Sequence, residues 1–451
     1  MSSNGKEQLE ALLALINDSA RAAMAEYDKA GGIPSPYDVE PHPLDSAPDP
    51  LALKRSIRIL EGAVDQLRAT LAPPAHTLLT RAQNYYWACL AVAQRARVPE
   101  ILKDHPAGLD IVTLGEKTRM APGKLQSVLR MLAARSVFRE VSPGVFANNR
   151  LSANMITELN IGDLVELYTV EAMAPTTTWY DSLVDAEYAH SYENNKSAWA
   201  YSVKDTWKGT GGFFKYLQGQ PARRKVFGSA MVGLSHATGS LAAISGYPWS
   251  KYKTVADVGS GIGEFAMKLA RDYPVVVTLH DLPPTIKDAE TFWADEYPEA
   301  IESNRVSFAP MDFFAEPPAP NMDIYFVRLC VAYRLIIHNW PDKEATLILK
   351  KAASVMAPHS RIIIQDYVLQ NPNPRRGLSD GPGVDLAPEP MMPNFGAGNI
   401  KHYAQDITML IMYNGKERTL DEVVELGSQA GLKLDKVWDL ADTSLIEFVL
   451  A

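Results

Sequence analysis

The segment that most constrains the fold is Thr254–Phe265, which reads TVADVGSGIGEF. It passes from an apolar run through an acid into three glycines, Gly259, Gly261 and Gly263. Glycine permits a tight turn at such positions and lets backbone amides approach a ligand that a side chain would block. The segment therefore predicts an α/β protein in which a strand leads into a cofactor-binding loop.

The spacing of the glycines indicates which ligand the loop takes. Dinucleotide-binding loops follow G-x-G-x-x-G with a small residue last, but here Glu264 holds the last position. A carboxylate at the start of the helix would repel a pyrophosphate, whereas Asp257, just before the glycines, suits a cation. The pattern favours S-adenosyl-L-methionine, which carries an ammonium group and no phosphate, over NAD or FAD. The predicted cofactor contacts are Asp257, Gly259, Gly261 and Gly263.

Two later segments are consistent with this ligand. VVVTLHDLP places Asp281 at the end of a second strand, where an acid binds ribose hydroxyls in doubly wound sheets. RVSFAPMDFF ends in Asp312 and Phe313, an acid for the exocyclic amine of adenine and a ring for its face. A single acid of this kind is more often a strand-end cap or a solvated loop residue. A cofactor site is supported because three such acids follow in this order along the chain: Asp257, Asp281 and Asp312.

The segment Met322–Asp342 contains the motif H-[DN]-W-x-D, as HNWPD from His338. Together with DVGSGIG, MDFF and NGKERT, this motif resembles the S-adenosylmethionine-dependent O-methyltransferases of the caffeate type and their fungal polyketide-modifying relatives. The resemblance extends from residue 75 to the C-terminus. It implies a Rossmann-like α/β domain with a doubly wound, mostly parallel sheet of seven strands. A mainly helical winged-helix dimerisation domain is expected to precede it.

The resemblance also assigns roles to residues near this motif. His338 is expected to be the general base that removes the proton of an acceptor hydroxyl, because a neutral imidazole can accept a proton near neutral pH. Such a histidine needs a carboxylate on its other nitrogen. Glu417, in NGKERT, is the first choice and Asp366, at the end of RIIIQD, the second. The alternatives are a hydrogen-bonded core histidine and an exposed ion pair of Glu417 with Lys416 or Arg418.

An insertion precedes the proposed base. Relatives run directly from the strand into the histidine segment, whereas this chain carries six additional residues, Cys330–Leu335, with the sequence CVAYRL. The insertion repeats an Arg-Leu pair, so either of two arginines can match the arginine that binds the cofactor in the resembled family. Arg334 is the chosen match and Arg328 its rival.

The acceptor site is expected among apolar residues. Met231, Asn339 and Met409 are the predicted substrate contacts, and the first of these matches a family position that packs on the acceptor. Met412 could complete the floor of the pocket. Aromatic residues between 155 and 245 are further candidates for its walls, although most are expected to be core: Trp179, Tyr180, Trp207, Phe213 and Phe214.

The chain is expected to divide into four parts. They are N-terminal helices with a proline-rich linker (1–74), a winged-helix dimerisation domain (75–155), a helical substrate-binding region (156–245) and the S-adenosylmethionine-binding domain (246–451). Leu9–Ala30 predicts an amphipathic helix, and Leu53–Leu71 repeats apolar residues at heptad spacing. That second helix should pack on another, within the chain or across a homodimer.

Composition excludes several other classes of function. Nine histidines and two cysteines, Cys89 and Cys330, show no ligand spacing, so we expect no metal. No apolar run reaches the roughly 20 residues of a membrane span, and MSSNGKEQLE lacks the features of a signal peptide, so a cytoplasmic enzyme without membrane contact is expected. The formal charge of −9 argues against nucleic-acid binding by the winged helix. The expected partners are a small aromatic substrate and a second copy of the chain.

The sequence is also compatible with two other functions. A family member could bind S-adenosylmethionine yet catalyse a rearrangement or cyclisation without methyl transfer, and the insertion before His338 keeps this possibility in view. A winged-helix regulator could instead use the cofactor only as a signal. The first would form no S-adenosylhomocysteine, and the second would bind DNA in a salt-dependent manner.

Overall fold

The structure is a computed structural model that describes residues 5–45, 47, 50–156, 160–207, 209, 211–239, 241–328, 337–373 and 383–451. The N-terminal half is mainly helical. Its helices are α1 (Gly5–Lys29), α2 (Leu51–Leu71), α3 (Pro74–Ala82), α4 (Tyr86–Arg95), α5 (Val98–Lys103), α6 (Ile111–Thr118), α7 (Pro122–Ala133), α8 (Arg150–Ala153), α9 (Ile161–Glu166), α10 (Trp179–Val184), α11 (Ala198–Val203), α12 (Phe213–Gln218), α13 (Pro221–Thr238) and α14 (Ala242–Gly246). A small antiparallel sheet of order β1-β3-β2 lies among them: β1 (Leu109–Asp110), β2 (Arg139–Ser142) and β3 (Val145–Ala147).

The C-terminal half alternates strands and helices. Its strands are β4 (Thr254–Val258), β5 (Val276–Asp281), β6 (Val306–Pro310), β7 (Ile324–Arg328), β8 (Arg361–Asp366), β9 (Val368–Leu369), β10 (Arg418–Thr419), β11 (Leu432–Asp439) and β12 (Ser444–Leu450). Its helices are α15 (Glu264–Asp272), α16 (Pro283–Glu296), α17 (Pro298–Glu302), α18 (Asp342–Ala353), α19 (Ile400–Tyr413) and α20 (Leu420–Gln429).

A seven-stranded sheet of order β11-β12-β8-β7-β4-β5-β6 organises this half. The strands from β8 to β6 in that order pair in parallel, while β12 runs antiparallel to both of its neighbours. The predicted α/β class with a mostly parallel seven-stranded sheet is therefore confirmed. Because β4 lies between β5 and β7, the chain order reverses at its carboxyl end, which is where ligands bind in open α/β sheets.

The sheet is buried on both faces. Val255 and Ile363 belong to the core on one face, and their neighbours Ala256 and Ile362 belong to the core on the other. Parallel strands covered by helices on both sides are apolar along their whole length for this reason. The buried sheet gives the loops at its carboxyl edge a rigid base.

The two N-terminal helices pack against each other and against the C-terminal half of the same chain. α2 carries the heptad pattern and contacts α1, so the expected helix–helix packing occurs within the chain. Its Arg58 is buried, pairs with Asp385 at 2.9 Å and Asp439 at 3.4 Å, and stacks on the ring of Phe395 at 4.2 Å. No helix in the described ranges is long and apolar enough to cross a bilayer.

Candidate active site

The glycine loop after β4 has the geometry that only glycine adopts readily. Gly259, Gly261 and Gly263 have φ angles of 72°, 60° and 80°. A Cβ atom on Gly263 would lie 2.5 Å from Leu279 Cδ1 and 2.7 Å from Trp293 Nε1. The third glycine thus allows close packing of the loop on the neighbouring strand and helix.

The predicted ribose-binding acid lies directly beside this loop. One carboxylate oxygen of Asp281 accepts a 3.0 Å hydrogen bond from the backbone N–H of Gly261, and the other accepts one of 2.7 Å from Leu282. A carboxylate has about four acceptor positions, so it can still accept a ligand hydroxyl. Asp257 is buried, one residue before the end of β4. The structure thus brings these two acids to the same edge of the sheet as the glycines.

Asp312 and Phe313 lie in the loop after β6, two and three residues beyond the end of that strand. Asp312 is exposed, and its carboxylate accepts a hydrogen bond from the N–H of Phe314 at 2.9 Å. The Phe313 ring is buried and lies 4.7 Å from that of Phe314, which in turn lies 4.8 Å from Trp340. This chain of rings connects the proposed adenine side of the site with the His338 segment.

The predicted arginine contact cannot be placed. Arg334 and the insertion Cys330–Leu335 lie outside the described residues. The backbone of its rival, Arg328, forms the last residue of β7 and pairs with Gln365 of β8. Both assignments stay predictions.

His338 forms the centre of a buried cluster with two carboxylates. It lies in the 3-10 turn Ile337–Asn339 and is 1% exposed. Its Nδ1 is 2.5 Å from Oε1 of Glu417 and 3.6 Å from Oδ1 of Asp366. Only the first of these distances is that of a hydrogen bond. Neither Lys416 nor Arg418 forms an ion pair with Glu417, since both pair with Asp342.

Burial determines the protonation of this cluster. It lowers the pKa of His338 to about 4, and it raises the pKa of Asp366 to about 7. It also raises the pKa of Glu417 well above the usual range, an effect that the nearby charge of Asp406 strengthens. The imidazole is therefore neutral at physiological pH. Its Nε2 is buried and has no hydrogen-bond partner among the residues that the structure describes.

The same three side chains are also of the types that ligate metal ions. Their ligand atoms lie within 4.8 Å of one another. However, two ligands of one ion, each about 2.0 to 2.2 Å from it, stand farther apart than the 2.5 Å between His338 Nδ1 and Glu417 Oε1. That contact is a hydrogen bond, and it favours a proton-transfer site over a metal centre.

Arg418 holds the His338 segment in place, a role that sequence reasoning missed. Its guanidinium is buried and donates hydrogen bonds to the carbonyl groups of Ile337 at 2.8 Å and Trp340 at 2.7 Å. It also bonds Asp342. In addition, the N–H of Lys416 donates to the carbonyl of His338 at 3.0 Å. The available signal is the position of this arginine next to Glu417, where the sequence suggests only an ion pair.

An apolar cavity adjoins Asn339, the residue that follows His338. All three predicted substrate contacts, Met231, Asn339 and Met409, line it, together with Leu167, Tyr168, Ala172, Phe214, Phe227, Leu234, Gln405, Thr408, Met412 and Tyr413. Tyr168 and Gln405 were not foreseen. Of the aromatic candidates for its walls, only Phe214 contributes.

The other aromatic candidates have different positions. Trp179, Trp207 and Phe213 belong to the adjoining apolar core, where rings pack on one another. Tyr180 is 75% exposed. As expected, most of the aromatic candidates are core, because aromatic spacing in a helical region does not by itself separate core from cavity.

The chain is similar to proteins of known class over most of its length. Residues 191–433 match the family model of the O-methyltransferase domain. The 3-O-methyltransferase 2 of Phanerochaete chrysosporium is 37% identical over 448 residues, which cover 98% of this chain and 97% of that protein.

Solved structures share the fold. LaPhzM aligns with a TM-score of 0.63 and 24% identity, covering 84% of this chain and 100% of its own. A pericyclic reaction enzyme aligns with a TM-score of 0.66 and 18% identity, covering 89% and 95%. At these identities the likeness concerns the architecture alone, which supports more than one chemistry.

Proposed function

The chain belongs to the O-methyltransferase family and is a methyltransferase, and on this premise we propose that it methylates a phenolic hydroxyl of a small aromatic secondary metabolite with His338 as general base. S-adenosyl-L-methionine is the proposed methyl donor. The observation that carries the proposal is the buried hydrogen bond between His338 and Glu417, beside an apolar cavity that Asn339 lines.

The residues at the carboxyl edge of the sheet fit this donor. The glycine turn provides close backbone approach, and Asp257 and Asp281 provide negative charge for a ligand that is a cation. Asp281 would bind ribose hydroxyls, and Phe313 would contact the adenine ring. When bound, S-adenosylmethionine supplies an electrophilic methyl group on a sulfonium.

His338 acts through the nitrogen that does not face Glu417. When the pair holds one proton, Nδ1–H donates to the Glu417 carboxylate and Nε2 keeps a free lone pair. That nitrogen accepts the phenol proton as the oxygen attacks the methyl group. Glu417 then stabilises the imidazolium and maintains the tautomer. General base catalysis of this kind contributes a factor of roughly 100 to 10,000.

The apolar cavity positions the acceptor for this step. Met231 and Met409 are flexible and polarisable, so they can adapt to a flat ring, and Phe214 provides an aromatic wall. Asn339 lies next to the base and is a candidate to orient the reacting hydroxyl. Holding donor and acceptor in line provides several kcal/mol of the rate enhancement.

We further propose a homodimer through the N-terminal helices and the β1-β3-β2 region. Four large apolar side chains at the end of α2 and around α3 support it: Leu71 is 64% exposed, Leu78 68%, Leu79 57% and Tyr85 67%. Clustered exposed apolar groups mark interaction surfaces. Light scattering of the purified chain gives the oligomeric state, and a monomer at micromolar concentration would contradict the proposal.

The test of the proposed function uses methyl-labelled S-adenosylmethionine and a panel of phenolic compounds. We expect labelled ether products, detected by mass spectrometry, in parallel with S-adenosylhomocysteine. Cofactor binding by calorimetry without any S-adenosylhomocysteine would contradict methyl transfer and favour a rearrangement. Salt-dependent binding to DNA would instead favour the regulator.

A further inference from the structure

A second, larger cavity lies beside the one next to His338. It opens to solvent at Ile400 and Ile407, which are 57% and 39% exposed. We propose that this second cavity binds the non-reacting part of the acceptor, an uncharged apolar ring or chain attached to the phenol. The inference rests on the proposed function and specifies its substrate class.

The volumes of the two cavities support this division. The first cavity has about 30 Å³, room for little more than a water molecule. The second has about 650 Å³, within the range of sites for small organic ligands. A phenol of any size therefore enters the first cavity only by displacing its walls, whereas a substituent finds space already present in the second.

The two cavities share a wall. Five residues line both: Tyr168, Ala172, Leu234, Gln405 and Thr408. The Tyr168 hydroxyl donates a 2.7 Å hydrogen bond to Gln405 Oε1, so this pair lies on the boundary between them. Tyr168 is part of a π-helical turn, Leu167–Ala172, and such turns are frequent at functional sites. An acceptor that spans both cavities would pass beside this pair.

The walls of the second cavity define the chemistry of the occupant. Trp87, Met173 and Ile411 provide apolar and aromatic surface. The charged lining residues are Lys401 and Asp442, and Asp442 pairs with Lys54 at 2.5 Å and with Lys401 at 3.5 Å. Because Asp442 is already paired and the Lys401 side chain is mostly exposed to solvent, the described lining offers no buried, unpaired charge for an ionised substituent. An aryl or alkyl group fits best.

The test compares a short and a long phenol, 4-methylphenol and 4-phenylphenol. Ala237 and Ala404 line only the second cavity and are exposed, so Ala237→Trp and Ala404→Trp reduce its volume at sites that tolerate a large side chain. Ala222→Trp, in the first turn of the same helix as Ala237 and lining neither cavity, is the matched control. We expect both cavity variants to lower kcat/KM for the long phenol by about 10- to 100-fold, and to leave the short phenol and the control unchanged.

A binding measurement separates failure of this inference from failure of methyl transfer. Trp87 lines the second cavity, so 4-phenylphenol should quench its fluorescence, and Trp87→Phe should remove that part of the signal. Quenching that persists without turnover would uphold the second cavity and reject the proposed reaction. The inference is overturned if Trp87 is not quenched, or if the cavity variants reduce activity equally for both phenols or for neither.

Discussion

Arg418 Nη1 donates a 2.8 Å hydrogen bond to the carbonyl oxygen of Ile337, the residue immediately before His338. A second bond, of 2.7 Å, runs from the same guanidinium to the carbonyl oxygen of Trp340, two residues after His338. The position of the imidazole therefore depends on a side chain that does not touch it. Arg418 is a positioning residue, and its contacts suggest a direct test.

Arg418→Lys should lower kcat by about 100-fold, because an ammonium cannot span the two carbonyl groups and a small displacement of the base is costly. The acceptor KM should change little. Steady-state kinetics on a phenol give both quantities. Arg130→Lys, which alters an exposed pair with Glu140, is the matched control. Wild-type kcat in Arg418→Lys would refute the positioning role.

His338→Gln should lower kcat by a factor of roughly 100 to 10,000 and leave S-adenosylmethionine affinity unchanged, because it removes proton transfer but not the cofactor contacts. Asp281→Asn should instead lower the affinity for S-adenosylmethionine and leave kcat at saturating cofactor largely unchanged. Calorimetry and single-turnover assays distinguish the two. Undiminished turnover in His338→Gln would rule out the base, and an unfolded variant would point to a structural histidine.

Glu417→Gln should move the acid limb of kcat/KM to lower pH. In the wild type the His338–Glu417 pair holds two protons at low pH, counting the N–H of the neutral ring, and Nε2 becomes a free base only when one of them is lost. Because burial raises the pKa of Glu417, this loss and the rise in activity should occur at a pH well above the usual carboxyl range. In the variant residue 417 no longer titrates, and burial lowers the pKa of His338 to about 4. The rate at the plateau should also fall, because the imidazolium loses its counter-ion.

Asp366→Asn separates the two candidate carboxylates. Because Asp366 lies 3.6 Å from His338 Nδ1, beyond hydrogen-bond distance, this change should shift the same limb less than Glu417→Gln does. The pH profile of kcat/KM measures both. A larger shift in Asp366→Asn would assign the orienting role to Asp366 instead.

Dialysis against a chelator should leave turnover unchanged. The reason is the 2.5 Å hydrogen bond within the His338 cluster, which an ion shared by His338 and Glu417 would have to break. Dialysis without chelator is the control. A loss of activity that added zinc or manganese restores would reveal a metal centre at these three side chains.

Gly263→Ala should destabilise the protein more than Gly431→Ala. The φ angles are nearly equal, at +80° and +78°, but an added Cβ meets Leu279 and Trp293 only at Gly263. Gly431→Ala should cost about 1 kcal/mol for its backbone conformation. Gly263→Ala should cost roughly 1 to 3 kcal/mol more. Urea unfolding measures the free energy of unfolding of both variants. Equal losses of stability would show that Leu279 and Trp293 move away from the added Cβ at no cost.

The sequence alone determined the sheet and the loop. An apolar strand, an acid and closely spaced glycines are local signals, because strand burial and left-handed turns depend on a few adjacent residues. Asp281 beside Gly261 followed from the same rule, since parallel strands end at one edge. The sequence did not single out Phe214 as the aromatic candidate that lines the cavity, because a helical pattern does not reveal which buried face adjoins empty space.

Only the tertiary structure decided how the site is assembled. His338 and Glu417 are 79 positions apart, and the choice between Glu417 and Asp366 depended on an ångström of difference in distance. Distant helices and loops likewise meet at two other features. These are the hydrogen bonds of Arg418 to the His338 segment and the second cavity beside Tyr168 and Gln405. Such contacts depend on packing across the whole fold, which no local pattern of residues records.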